Sequence, residues 1–163
     1  MELEQYRDLW LKEKMDDFIG FYPREFFCFD NFSAFKVKYN NRIFSTVEHA
    51  YQYSKFEKNH SEIAEKIFES FSSHDAQKIA YENKDKVDPS FHAIKVELME
   101  TLLRLKLEQN PYVKHKLMQT KNYLICEDSP KDSFWGIGLE RDGTNQLGKL
   151  WMKLRDELIN TKD

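Results

Sequence analysis

Glu48, Gln52 and Lys55 follow one another at spacings of four and three residues, just behind the segment Ser45-Thr46-Val47-Glu48-His49. On a helix starting there, the three side chains share one face. A carboxylate, an amide and an amine in one row suit a hydroxyl-bearing ligand, and a carboxylate can activate water. The same residues have a plain structural use. Ser45-x-x-Glu48 is the pattern of a capping box, in which Glu48 only bonds the main chain of Ser45. Gln52 and Lys55 would then be a solvated stripe. Pattern alone favours the cap, because capping boxes are common helix starts.

Residues 132–149 are a second candidate. They hold four of the five glycines (Gly136, Gly138, Gly143 and Gly148) together with Asp132, Trp135, Arg141, Asp142, Asn145 and Lys149. Glycine lets a main chain approach a ligand closely, and a helix N-terminus offers N–H groups to an anion. Arg141 and Lys149 would add positive charge. The competing reading is a surface loop with a helix cap at Asn145. A third candidate lies in the aromatic run Phe21, Tyr22, Phe26, Phe27, Phe29, Phe32 and Phe35. Such runs are mostly core, but the amide of Asn31 inside it needs partners, and a ligand is one. Neither Cys has a His near it in sequence, so no nucleophilic triad suggests itself. The five His residues show no zinc spacing. No metal and no cofactor is expected.

These residues need a scaffold. The chain has 163 residues, enough for one domain with a single core. Hydrophobic residues make up 40% and charged residues 33%, which marks a globular chain. The net charge of −3 provides no overall field for long nucleic acid. Cys28 and Cys126 are far apart, so reduced thiols and a cytoplasmic protein are expected. No apolar run of about 20 residues is present, so no membrane span is expected. The charged start, Met1 to Met15, does not read as a signal peptide.

Periodicity predicts helices at 2–15, from Ser45 to about Lys58, at 61–71 and 73–83, at 89–109 behind Asp88-Pro89, at 111–119 and at 145–159. On the 89–109 helix, Phe91, Ile94, Leu98, Leu102 and Leu105 should form the buried face. A hairpin is predicted at 35–44 around Asn40-Asn41, and a strand at 122–126. The fold class is α+β, predominantly helical, with a small β-hairpin or sheet. Residues 1–25 read as an N-terminal helical extension and 26–160 as the domain proper. Neither GxGxxG nor GxxxxGK[ST] occurs.

Three blocks, taken jointly, resemble the NADAR (YbiA-like) family over about residues 26–158. The first is Asp30-Asn31-Phe32-Ser33. The second is Phe44-Ser45-Thr46-Val47-Glu48-His49-Ala50-Tyr51-Gln52 with Lys55-Phe56. The third runs from Lys131-Asp132-Ser133-Phe134-Trp135-Gly136-x-Gly138 through Gly143-x-Asn145-x-Leu147-Gly148-Lys149-Leu150-x-Met152 to Arg155. Ala76-Gln77-Lys78 and Phe91-x-x-x-Lys95-x-x-x-Met99 resemble the family's middle helices. Three positions depart from the pattern. Asp30 stands where Ser is usual, Ser45 where Pro is frequent, and Phe91 where Trp is usual; that last change bears on which base is bound.

The resemblance implies an N-glycosidase acting on a small phosphorylated ribosyl substrate. One branch of the family removes the base from ribosylaminopyrimidine phosphates of riboflavin synthesis; another removes ADP-ribose from guanine, including guanine in nucleic acid. It implies that Glu48 is the catalytic carboxylate, stabilising the ribosyl cation and taking a proton from water. Lys55 would hold a hydroxyl or phosphate, or form a transient imine. Asp132 is the candidate second carboxylate. Asn31, Phe32 and Trp135 would position the base and Gln52 the sugar; Gly136, Gly138, Arg141, Asn145 and Lys149 would receive the phosphate. The nucleic-acid branch would need a local basic groove, for which Lys114, Lys116 and Lys121 are candidates. One rival is a sensor that binds NAD-derived nucleotides without turning them over. Another is a structural partner, for which no residue speaks.

Overall fold

The computed structural model describes residues 18–21 and 26–161. The helix expected at 2–15 lies outside them. In chain order the elements are β1 (Phe18–Gly20), a 3-10 turn (Phe27–Phe29), β2 (Val37–Tyr39), β3 (Arg42–Phe44), α1 (Val47–Ser54), α2 (Ser61–Glu69), α3 (Ser73–Glu82), a second 3-10 turn (Lys84–Lys86), α4 (Phe91–Gln109), α5 (Pro111–Gln119), β4 (Leu124–Cys126) and α6 (Gln146–Asn160). The fold is α+β and predominantly helical. By packing the described residues divide into two compact units, one of residues 31–110 and one of those on either side of it.

In the 31–110 unit, β2 and β3 form an antiparallel hairpin in which Val37 faces Phe44 and Tyr39 faces Arg42. Its turn is Asn40-Asn41, at φ 48° and 62°. Positive φ at both central residues matches the twist of the flanking strands, and asparagine accepts it at low cost. Replacing Asn41 by Val, whose β-branch opposes this region, should therefore cost about 1–2 kcal/mol in urea unfolding. β2 is also tied to the end of α4. The Gln109 amide accepts from Lys38 N–H at 2.7 Å and donates to Lys38 O at 3.0 Å, as a neighbouring strand would.

Helices α1, α2 and α3 close around Phe56, Ile63, Ala64, Ile67, Ala76 and Ala80. α3 carries a complete capping box, with Ser72 and Asp75 bonding each other's main chain. α4 differs from expectation in its orientation. Its buried side is Phe91, Met99, Leu102, Leu103, Lys106 and Leu107, whereas Ile94 of the predicted stripe is 48% exposed. Following only apolar residues missed that the inward line passes the half-buried Lys95 and includes the fully buried Lys106.

In the other unit, β1 pairs with β4 in parallel, Phe18 opposite Leu124 and Gly20 opposite Cys126. β1 was not predicted. Phe29 packs against Trp151 of α6 at 5.0 Å between ring centroids and edge-on to Phe21 at 5.9 Å. The indole N–H of Trp151 donates to Phe29 O at 3.0 Å. At these positions the aromatic run is core. Arg155 of α6 reaches back to Thr120 Oγ1 at 2.9 Å and Tyr123 O at 2.7 Å, fixing the approach to β4.

Candidate functional site

α1 starts one residue later than a capping box at Ser45 would place it. Thr46, in extended conformation, is the N-cap; its Oγ1 accepts from His49 N–H at 3.2 Å. Glu48 is thus the second helical residue, not the third that a capping box uses. Its N–H donates to Asn31 O at 3.1 Å. One of the helix's first amides is thereby satisfied from outside, and Asn31 is fixed beside Glu48.

His49 is fully buried. Its Nε2 lies 3.1 Å from Ser70 O, an acceptor, so the ring proton sits on Nε2. Nδ1 then accepts from Thr46 Oγ1, 2.8 Å away, and Ser73 Oγ closes the group at 2.9 Å from Thr46 Oγ1. Burial lowers the imidazole pKa below 6.5, opposed by the Ser70 carbonyl and by Asp75. In the folded state the neutral form is favoured, so its contribution to stability is complete above about pH 6.5 and is lost as pH falls towards the depressed pKa. Tm should accordingly fall between about pH 7 and 5, and His49→Gln should flatten that slope.

The residues of the stripe come together on the buried side of α1. Glu48 and Gln52 are each 5% exposed. Gln52 Nε2 donates to Glu48 Oε1 at 2.6 Å, which leaves Gln52 Oε1 without a donor among the described residues. Asn31, also buried, donates from Nδ2 to Met99 Sδ at 3.4 Å, and its Oδ1 likewise lacks a donor among them. Lys55 Nζ lies 4.9 Å from the Tyr51 ring and 5.7 Å from the Phe91 ring, which meet edge-on at 5.5 Å. Burial lowers the Lys55 pKa below its ordinary value; the Glu48 carboxylate raises it and Lys95 lowers it again. A buried carboxylate, a nearby ammonium on aromatic faces and two buried acceptors without donors thus form one site. Orphaned acceptors cost about 1–3 kcal/mol each, which a hydroxyl or amino donor on a ligand would recover. Phe32 meets His74 edge-on at 4.8 Å in the same unit.

Tyr51, Phe91 and Met99 contribute to this site although the three-residue stripe did not name them. For Tyr51 the signal was its place in the Phe44–Gln52 block, and for Phe91 and Met99 their four-residue spacing with Lys95. Lys106 continues that line. It is fully buried, with Nζ 2.8 Å from Ser33 Oγ and 5.3 Å from the Phe35 ring centroid.

In the other unit, the loop between β4 and α6 is organised by Asp132, whose Oδ1 accepts from Phe134 N–H at 2.9 Å and Trp135 N–H at 2.7 Å. The Trp135 ring is half-buried, edge-on to Phe134 at 4.9 Å. The glycines serve close packing. A Cβ on Gly136 would stand 2.7 Å from Glu127 O, and one on Gly143 would stand 2.6 Å from Gly136 O. Gly138 has φ +71°. The amides of Gln146 and Leu147, expected to face an anion at the head of α6, donate instead to Phe134 O and Trp135 O at 3.0 Å each. Asn145, at φ 48°, is fully buried; its amide accepts from Glu127 N–H at 2.9 Å and donates to Ile125 O at 3.0 Å. Lys149 is buried, and Arg141 is exposed and 3.4 Å from Asp128 Oδ1.

Cys28 and Cys126 are buried and form no disulfide, and burial pushes the Cys126 thiol up to about 12. Among the described residues no group of three or more His, Cys, Asp or Glu side chains is arranged for a metal ion, and no helix is long and apolar enough to cross a membrane. Of the lysines considered for a nucleic-acid groove, Lys116 lies over the Phe26 and Tyr112 rings.

The NADAR domain model matches residues 13–159. An N-glycosidase of Nostoc punctiforme is 30% identical over 82% of this chain and 86% of its own length. The N-glycosidase YbiA of Escherichia coli is 29% identical over 90% of this chain and 92% of its own. The NMR structure of E. coli YbiA matches with a TM-score of 0.79 and 28% identity, covering 99% of this chain and 95% of that one. The chloroplastic riboflavin biosynthesis protein PYRR of Zea mays is 31% identical over 83% of this chain, which spans 24% of the maize protein.

Proposed function

Because this chain belongs to the NADAR family, we propose that it is an N-glycosidase that hydrolyses the C1′–N bond between a phosphorylated ribose and a nitrogen base. The observation that carries this reading is the buried Glu48 carboxylate, held at 2.6 Å by Gln52 and close enough to Lys55 to raise its pKa. Cleavage builds positive charge at C1′, which a carboxylate stabilises. Water adds its oxygen to C1′ and gives a proton to Glu48. The electrons of the C1′–N bond leave with the base, which takes up that proton. The unsatisfied oxygens of Asn31 and Gln52 accept from the ribose hydroxyls or from amino groups of the base.

We assign Asp132 and Asn145 to shaping the loop before α6, because Asp132 Oδ1 and both amide atoms of Asn145 are engaged by main chain. The aminopyrimidine branch is the preferred substrate class, since N-glycosidase and riboflavin biosynthesis are the names the relatives carry. The test is turnover by the purified chain, read by mass spectrometry, on ribosylaminopyrimidine 5′-phosphate and on ADP-ribosylated guanosine in parallel. Release of base from the first supports the reading, and release from the second alone moves the assignment to the other branch. Binding without release from either would replace it with a sensor.

A further inference from the structure

Beside the Glu48 site, the 31–110 unit contains a cavity of about 460 Å³ lined by Gln52 of α1, Lys55 at its C-terminal cap, His74, Lys78 and Tyr81 of α3, and Lys84 among others. Its walls hold three lysines and a histidine but no Asp or Glu, although the whole chain carries a net charge of −3. Like charges around one space repel unless an anion enters it. Two of the cations are lightly engaged. Lys78 Nζ is 4.0 Å from Glu82 with both side chains exposed, and Lys84 Nζ rests 4.6 Å from the Tyr81 ring. Gln52 joins the cavity to the reaction site. Its Nε2 is held by Glu48, so the atom it has left for a ligand is the buried, donorless Oε1. The cavity therefore needs a ligand with a hydrogen-bond donor at Gln52 and an anion towards the lysines.

We propose that this cavity between α1 and α3 binds the phosphate of the ribosyl substrate, with Lys78 and Lys84 as its cationic contacts and Gln52 Oε1 accepting from a ribose hydroxyl. The inference rests on the reading of Glu48 as the hydrolytic carboxylate, since that places C1′ next to Gln52. Glu48 and Gln52 lie four residues apart, about 6 Å along α1, and their side chains meet at 2.6 Å, so one ribose ring can contact both. It relocates the anion from the glycine loop, where the Gln146 and Leu147 amides are bonded to loop carbonyls and Arg141 lies beside Asp128.

Titration calorimetry on the full chain tests this without turnover, using ribose, ribose 5-phosphate and ADP-ribose as probes. The wild type should bind at least one phosphorylated probe about tenfold or more tightly than ribose. Lys78→Met/Lys84→Met, which replaces exposed side chains, should abolish that gain and leave ribose binding unchanged, with an unaltered circular dichroism spectrum. If the gain follows ribose 5-phosphate, the anion is a monoester; if it follows ADP-ribose alone, it is a pyrophosphate. An undiminished gain in the double variant overturns the site, as does a wild type that does not prefer phosphate. Failure of the glycosidase reading appears separately, as absent base release by a protein that still binds the phosphorylated probe.

Discussion

Glu48→Gln should lower kcat/KM for base release by about 10²–10⁴-fold, the range that a positioned proton acceptor contributes, while Tm changes little. The substitution keeps the size of a side chain that is 5% exposed and keeps an oxygen for the Gln52 amide. It removes the negative charge that would stabilise the ribosyl cation and the site that would take the proton from water. The loss should fall on kcat, because an interaction made chiefly in the transition state lowers kcat and kcat/KM together. Asp132→Asn is the informative comparison. An Asn oxygen can still accept from Phe134 and Trp135 N–H, at 2.9 and 2.7 Å in the parent, so a loop-shaping role predicts near-parental kcat. A large kcat loss in Asp132→Asn with full activity in Glu48→Gln would reverse the assignment of the two carboxylates.

Gly148→Ala should be the most damaging single-methyl addition, costing about 3 kcal/mol or more. The added Cβ would stand 2.1 Å from Ile125 O and 2.5 Å from both amide atoms of Asn145. Neither obstacle can yield cheaply. Ile125 is fully buried in β4, paired with β1. The Asn145 amide is clamped between Ile125 O and Glu127 N–H. Relief would require α6 to move off β4, breaking these bonds and uncovering Leu147, Leu150 and Trp151. For a chain of this size the expected fall in Tm is on the order of 10 °C, measured by calorimetry. Gly138→Ala, at φ +71° with its nearest neighbour the Ser133 Cβ at 3.1 Å, should cost about 1–2 kcal/mol. Equal effects at the two positions would show that backbone conformation, not the close approach of α6 to β4, sets the requirement for glycine.

Much of the scaffold was legible in the sequence because its signals are local. Asn40-Asn41 dictated the hairpin through positive φ at adjacent residues. Asn110-Pro111 ended α4 and began α5. The stripe Leu147, Leu150, Trp151 and Leu154 gave the buried side of α6. The joint motif blocks marked the family, and the four-three spacing put Glu48, Gln52 and Lys55 on one face of one helix.

What the sequence left undecided depended on partners distant along the chain. Ser45-x-x-Glu48 has the letters of a capping box, but Thr46 caps α1, and the Glu48 side chain is bonded by Gln52 while Asn31 O takes its N–H. β1 forms only because Phe18–Gly20 meets Leu124–Cys126, a pairing no local pattern specifies. On pattern alone Lys55 belonged to a solvated stripe; tertiary packing places it by the Tyr51 and Phe91 rings, with Glu48 and Lys95 acting on its charge. The glycines of 136–148 suggested a ligand loop by type alone; that a main-chain carbonyl lies against Gly136, Gly143 and Gly148 depends on tertiary packing. Local sequence sets backbone conformation and the face a side chain shares; whether that face meets water, a carbonyl or another charge is decided by what folds against it.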